Sequence, residues 1–205
     1  EDFLETYDND LRKATGSYYT PPEVVSAMVG LVDQALRGAG FLRKLGLASP
    51  DVVVADPAVG TGTFMLGVLR HVAAVVEAEE GAGAVPAQVQ ATLKRLIGFE
   101  LQLGPFAVAQ LRLLAEVHQL AGALPAEAVH MYVTDTLSNP DDDGGQFTSF
   151  LAPIAKQRKD ANRIKREQPI TVVIGNPPYK EKAKGRGGWV EGEGRKKGEY
   201  APLAD

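Results

Sequence analysis

The sequence predicts an α/β protein: a parallel sheet with helices on both faces. Three observations lead there. Four short apolar runs read as strands without polar–apolar alternation, the pattern of strands buried on both sides. The segments between them carry apolar residues at helical spacing. Gly, Asp, Glu and Asn-Pro motifs fall just past the carboxyl ends of these strands, where open parallel sheets hold ligands.

From the amino end, Gly16-Ser-Tyr-Tyr-Thr-Pro-Pro-Glu23 opens a helix over about 21–37. Thr20 and Glu23 have the spacing of a capping box, the prolines suit a first turn, and Gly38 closes the helix. Asp51–Ala55 reads as a buried strand that turns through Asp56–Gly62 into a long helix, about 63–79. Glu80–Val85 is a flexible break, and Pro86 begins a short helix ending near Leu96. Ile97–Glu100 is the second strand, followed by a helix over Gly104–Ala121 that Gly122 stops. Val129–Val133 is the third strand, with its exit at Thr134–Leu137. Asp141–Gln146 is loop, and a helix over about 148–167 leads to a fourth strand, about 170–175. Right-handed crossovers order the first three strands third, second, first. The expected organisation is a helical segment over 1–48, a core over 49–180 and a flexible Gly/Lys-rich loop over 181–205, with the sheet cut short after its fourth strand.

Composition removes several classes of function. No window approaches the roughly 18 uninterrupted apolar residues of a membrane span, and the acidic start is unlike a signal peptide. The start also lacks Met, so the expectation is a processed chain or a piece of a longer one. With no cysteine, disulfides and thiolate zinc sites are excluded, which fits a reducing cytoplasm. Histidines 71, 118 and 130 lack metal-ligand spacing, and no bound metal is expected. The net charge of −4 hides an asymmetry. Residues 1–150 hold 9 Lys/Arg against 19 Asp/Glu, and residues 151–205 hold 13 against 7. A basic carboxyl-terminal third suits a phosphate backbone, although a solvated helix face and a loop would also produce it.

The strand exits carry the chemistry. Gly60-Thr-Gly62 lies between a strand and a helix amino terminus, where glycines admit a ligand to the backbone and the helix dipole favours an anion. The third glycine of the dinucleotide pattern is replaced by Met65, so a phosphate and the carboxylate of a methionine moiety are both candidates. Glu100 could accept the hydroxyls of a ribose, or be a surface residue. Asp135 could accept from an adenine amino group, or merely form an Asx-turn. In Asn176-Pro-Pro-Tyr179, two consecutive residues precede proline, which stiffens the backbone and keeps its carbonyls out of a helix. Acceptors on Asn176 and Pro177 beside the flat ring of Tyr179 suit a planar group bearing –NH₂.

These residues resemble the S-adenosylmethionine-dependent N6-adenine DNA methyltransferases. Asp56-Pro-Ala-Val-Gly-Thr-Gly-Thr-Phe64 is similar to the cofactor loop of that family, and Asn176-Pro-Pro-Tyr179 to its catalytic tetrapeptide. Tyr18-Tyr-Thr-Pro21 resembles the segment that closes over the methionine end of the cofactor. The resemblance covers about residues 16–180. It implies a Rossmann-like methyltransferase fold with catalytic Asn176, Pro177, Pro178 and Tyr179. The implied cofactor residues are Tyr18, Tyr19, Thr20, Pro21, Asp56, Pro57, Ala58, Gly60, Thr61, Gly62, Thr63, Phe64, Glu100, Asp135, Leu137 and Asn176. Implied partners are double-stranded DNA and the specificity and endonuclease domains or subunits of a restriction–modification system, with no membrane. Two rival families of function share the pocket logic: a methyltransferase acting on a protein glutamine amide, and one acting on an RNA base. A noncatalytic cofactor-binding module that positions partners on DNA is a third alternative.

Overall fold

Strands β1 (Val54–Asp56), β2 (Leu96–Glu100), β3 (His130–Val133) and β4 (Val172–Val173) pair in parallel in the order β3-β2-β1-β4. The computed structural model describes residues 20–38, 40–41, 43–125, 127–142 and 152–178, with backbone alone for 152–154. The predicted order of the first three strands is found. The chain then crosses back over β1 and lays β4 on its free side. That reversal makes the β1–β4 boundary a topological switch point, where loops leaving adjacent strands diverge and open a crevice.

The helices are α1 (Pro22–Arg37), α2 (Thr63–Glu80), α3 (Val85–Leu93), α4 (Leu103–Ala121) and α5 (Ala152–Glu167). Helices α1 to α4 share the main core, in which Val29, Leu69, Val89, Leu113 and Val117 are wholly buried against the sheet. Helix α5 covers the other face, where Ala161 and Ile164 pack on Ala55, Ile97, Phe99 and Tyr132. This division follows from handedness: the crossovers to β2 and β3 run one way and the crossover to β4 runs back. Helix α1 belongs to the core. A Cβ on Gly67 would stand 2.6 Å from Val25 Cγ1, so the α2 backbone is approached closely there. Among the described residues no helix is long and apolar enough to cross a membrane.

Several boundaries differ from expectation, each for a local reason. Strand β1 starts at Val54 because the Val53 N–H is taken by the Thr171 hydroxyl at 3.2 Å. Strand β4 shrinks to two residues. The N–H groups of Thr171 and Val172 both point at the Val53 carbonyl, and the chain soon reaches prolines with no N–H to pair. Ala82–Ala84 forms a 3-10 turn where a flexible break was expected. The capping box does not form. Pro21 is the cap of α1 and no side chain bonds there, while the Thr20 hydroxyl accepts from Asn176 instead. The loop expected over 181–205 lies outside the described residues.

Candidate active site

At the exit of β1, Asp56 is buried, only 2% exposed. Its Oδ1 accepts the Ala58 N–H at 3.0 Å, and its Oδ2 has no partner among the described residues. Burial pushes its pKa up to about 7, and the nearby charge of Glu100 adds to the rise. The chain then turns through Gly60 (φ 56°) and Gly62 (φ 86°), left-handed conformations that favour glycine. Three bonds, two to β2 and one from α4, hold this turn. Val59 N–H donates to the Phe99 carbonyl at 3.0 Å, Gly60 N–H to Glu100 Oε2 at 2.8 Å, and Arg112 of α4 to the Thr61 carbonyl at 2.7 Å. Among the described residues Gly62 caps α2 with no side-chain hydrogen bond, so none of their side chains caps the dipole at the amino end of that helix. Thr63 begins the helix, and Phe64 is buried in the core, 4% exposed.

The exits of β2 and β3 brace the turn. Glu100 uses one oxygen on Gly60 and the other on the Gln102 N–H at 2.8 Å. Each carboxylate oxygen keeps a second acceptor site. Asp135 is exposed and forms an Asx-turn, its Oδ1 accepting the Leu137 N–H at 2.9 Å. Thr136 Oγ1 donates to the Pro57 carbonyl at 2.6 Å, which joins the β3 exit to the β1 exit. Below this loop, Lys165 of α5 donates to the Asp135 carbonyl at 2.7 Å and lies 5.9 Å from the centre of the Phe99 ring. Burial lowers its pKa to about 8. Arg158 pairs with Asp142, and Arg166 bonds the Pro140 carbonyl. Much of the positive charge on α5 therefore ties down the β3 exit.

At the exit of β4, Gly175 rests against the β1 turn. A Cβ there would stand 2.5 Å from Asp56 Oδ1 and 3.2 Å from Pro57 Cδ. Asn176 follows and donates through Nδ2 to Thr20 Oγ1 at 3.1 Å. Pro177 and Pro178 are exposed. Thr20, Asp56, Pro57, Gly60, Glu100 and Asn176 are thus brought together at the switch point, and Asp135 and Leu137 join them through Thr136. Tyr18, Tyr19 and Tyr179 lie outside the described residues. A shallow depression lined by Gln90, Leu93, Lys94 and Pro125 sits elsewhere, ahead of β2 and β3, and takes no part.

Of four further residues that position this site, three carried no signal of that role in the sequence. Arg112 and Lys165 sit within helices whose spacing explains them as ordinary surface positions. Thr136 is one hydroxyl in a loop. Gly175 alone was open to detection, since a glycine in a strand marks a close backbone approach.

A profile of the family described as N-6 DNA Methylase matches residues 1–199. The chain belongs to that family. Solved structures agree with this membership. The DrdV–DNA complex aligns with a TM-score of 0.65 and 29% identity, covering 88% of this chain and 16% of DrdV. A nuclease-deletion mutant of the Type ISP restriction-modification enzyme LlaGI, in complex with a DNA substrate mimic, gives 0.65 and 26% over 87% of this chain and 14% of LlaGI. The ATP-dependent Type ISP restriction-modification enzyme LlaBIII, bound to DNA, gives 0.69 and 26% over 89% of this chain and 12% of LlaBIII. The chain spans about a seventh of the length of such proteins. No curated protein sequence matches it.

Proposed function

We propose that the chain is the methyl-transfer module of a restriction–modification protein and moves a methyl group from S-adenosylmethionine to N6 of an adenine extruded from duplex DNA. The observation that carries this reading is the contact of Gly175 with Asp56, which sets the Asn-Pro-Pro corner against the glycine turn at the switch point. Family membership and neighbours solved with DNA support the same chemistry.

The residues suit such a donor. Among the described residues, open space lies above Gly60, the amino end of α2 carries no side-chain cap and suits a carboxylate, and Asp56 keeps a buried oxygen to meet an ammonium. The remaining acceptor capacity of Glu100 suits a ribose, and the Asp135–Leu137 loop an adenine. When bound, the donor supplies an electrophilic methyl group on a sulfonium. The Asn176 side-chain oxygen and the Pro177 carbonyl accept hydrogen bonds from the target amino group and localise its lone pair. Extruding the base costs a few kcal/mol, and stacking on Tyr179 would return roughly 1–3 kcal/mol. What remains is positioning, worth as much as about 7–11 kcal/mol in well-oriented reactions. Residues 1–48 and 49–180 then act as one catalytic unit.

A tritium methyl-transfer assay on DNA, RNA and protein acceptors, with the longest protein containing this chain, tests the reading. Label on N6 of adenine in DNA is expected. Label confined to a glutamine amide of a protein, or to RNA, replaces it with one of the rival activities, and donor binding without any transfer leaves a positioning module.

A further inference from the structure

We propose that Arg112 is a positioning residue for the carboxylate end of the methyl donor. It ties the Thr61 carbonyl to α4 and leaves a positive charge beside the amino end of α2. This deepens the function proposed above and rests on it. Arg112 Nη1 donates to the Thr61 carbonyl at 2.7 Å and to Thr61 Oγ1 at 3.0 Å. The first bond has one possible direction, since a guanidinium cannot accept and a carbonyl cannot donate. Helix α4 reaches the turn because residue 62 has no side chain. A Cβ there would stand 3.3 Å from the Ala109 Cβ, and Arg112 lies one helical turn further on.

The bond matters because of what surrounds that carbonyl. The first hydrogen bond of α2 runs from the Leu66 N–H to the Gly62 carbonyl at 3.0 Å. The N–H groups of Thr63, Phe64 and Met65 precede it and meet no acceptor among the described residues. These are the donors that a carboxylate takes at a helix amino terminus. Glycine at 62 (φ 86°) admits a ligand, but it also makes the Thr61–Gly62 peptide easy to rotate. A rotated peptide would bring its carbonyl among those donors, as a rival acceptor and a repulsive dipole. Both ends of this peptide are instead held: its N–H by the Val59 carbonyl at 2.9 Å, its carbonyl by Arg112. The charge of Arg112 is not spent on an ion pair among the described residues. Glu116, one turn along α4, is taken by Arg70 of α2 at 2.6 and 2.8 Å. A guanidinium stays protonated at any working pH, so its charge adds to the helix dipole in favouring an anion.

A comparison of two ligands isolates this role. S-adenosylmethionine and its decarboxylated form share the nucleoside, the sulfonium and the ammonium, and differ only in the carboxylate. In the longest protein containing this chain, Arg112→Met should raise the calorimetric Kd of S-adenosylmethionine about tenfold, the scale of one charge-assisted bond. The Kd of the decarboxylated ligand should stay within about twofold of wild type, well below that scale. Arg112→Lys keeps the charge and one donor, and should recover most of the lost affinity. Equal losses for the two ligands would make Arg112 an ordinary brace of the turn and overturn the inference. An unchanged Kd for S-adenosylmethionine overturns it as well. If melting curves show that Arg112→Met does not fold, Arg112→Gln, which keeps a donor without the charge, replaces it in the same comparison. A wild-type protein that binds S-adenosylmethionine but labels no adenine refutes the proposed reaction, and the binding comparison still decides the role of Arg112. A wild-type protein that binds neither ligand refutes both.

Discussion

Glu100 grips the glycine turn from the neighbouring strand: its Oε2 accepts the Gly60 N–H at 2.8 Å across 40 positions of sequence. Its other oxygen accepts the Gln102 N–H at the same distance. Hydrogen bonds to a charged group contribute roughly 1.5–3 kcal/mol each. Glu100→Gln keeps one acceptor oxygen for two donors and should lose about 1–2 kcal/mol of stability in urea titration, by the same scale. Glu100→Ala should lose more and weaken S-adenosylmethionine binding at least tenfold. Unchanged donor affinity in the alanine variant would show that the turn keeps its shape without this carboxylate.

Asp56 makes stability depend on pH with a definite sign. Its folded-state pKa of about 7 lies above the ordinary 3.8, because burial penalises the anion. The folded protein therefore holds this proton more tightly than the unfolded chain, and stability falls as pH rises from about 4 through about 7. Asp56→Asn abolishes that loss. Its Tm relative to wild type should climb between pH 5 and pH 8, an effect of up to about 3 kcal/mol from the two tenfold steps between pH 5 and about 7. Parallel Tm curves for the two proteins would mean that Asp56 titrates normally.

The two glycines of the turn should fail in different ways. A Cβ on Gly62 (φ 86°) would lie 3.3 Å from the Ala109 Cβ, whereas one on Gly60 (φ 56°) would meet nothing within 4 Å among the described residues. Both substitutions to alanine carry the left-handed cost of about 1–2 kcal/mol. Gly62→Ala adds crowding against α4 and should lose the most stability. Gly60→Ala should stay near that minimum cost yet bind donor poorly, because its methyl group fills the space over the turn. Equal donor affinity for Gly60→Ala and wild type would move the donor away from this turn.

Gly175→Ala forces a methyl group onto Asp56, 2.5 Å from Oδ1. Overpacking of this kind costs about 1–3 kcal/mol, and here it pushes apart the two loops that share the crevice. We expect lower stability and slower methyl transfer together. Shortening the opposing side chain with Asp56→Ser should restore stability without restoring transfer. If the double variant is no more stable than Gly175→Ala alone, the clash lies elsewhere.

The layered parallel sheet was legible from the chain because its signals act between near neighbours. Apolar spacing at Val25, Val29 and Leu36 specifies a helix face, and unalternating runs at Ile97–Phe99 specify a strand covered on both sides. Crossover handedness then orders β3, β2 and β1 without any knowledge of contacts. Proline restricts its predecessor wherever it occurs, so the stiffness of the Asn176 corner could also be read directly.

Choice of partner is a different matter. Thr20 has the spacing of a helix cap and in the fold accepts from Asn176. Glu100 reads as a ligand acceptor and also carries two backbone N–H groups. The cations of α5 read together as a surface for phosphate, while half of them, Arg158, Lys165 and Arg166, bind the loop after β3. A side-chain oxygen accepts from whichever donor lies near 3 Å, and folding sets that distance between residues far apart in sequence. Composition and periodicity thus suffice for the sheet and the placement of its loops, and the assembled fold assigns each polar group the bond that it makes.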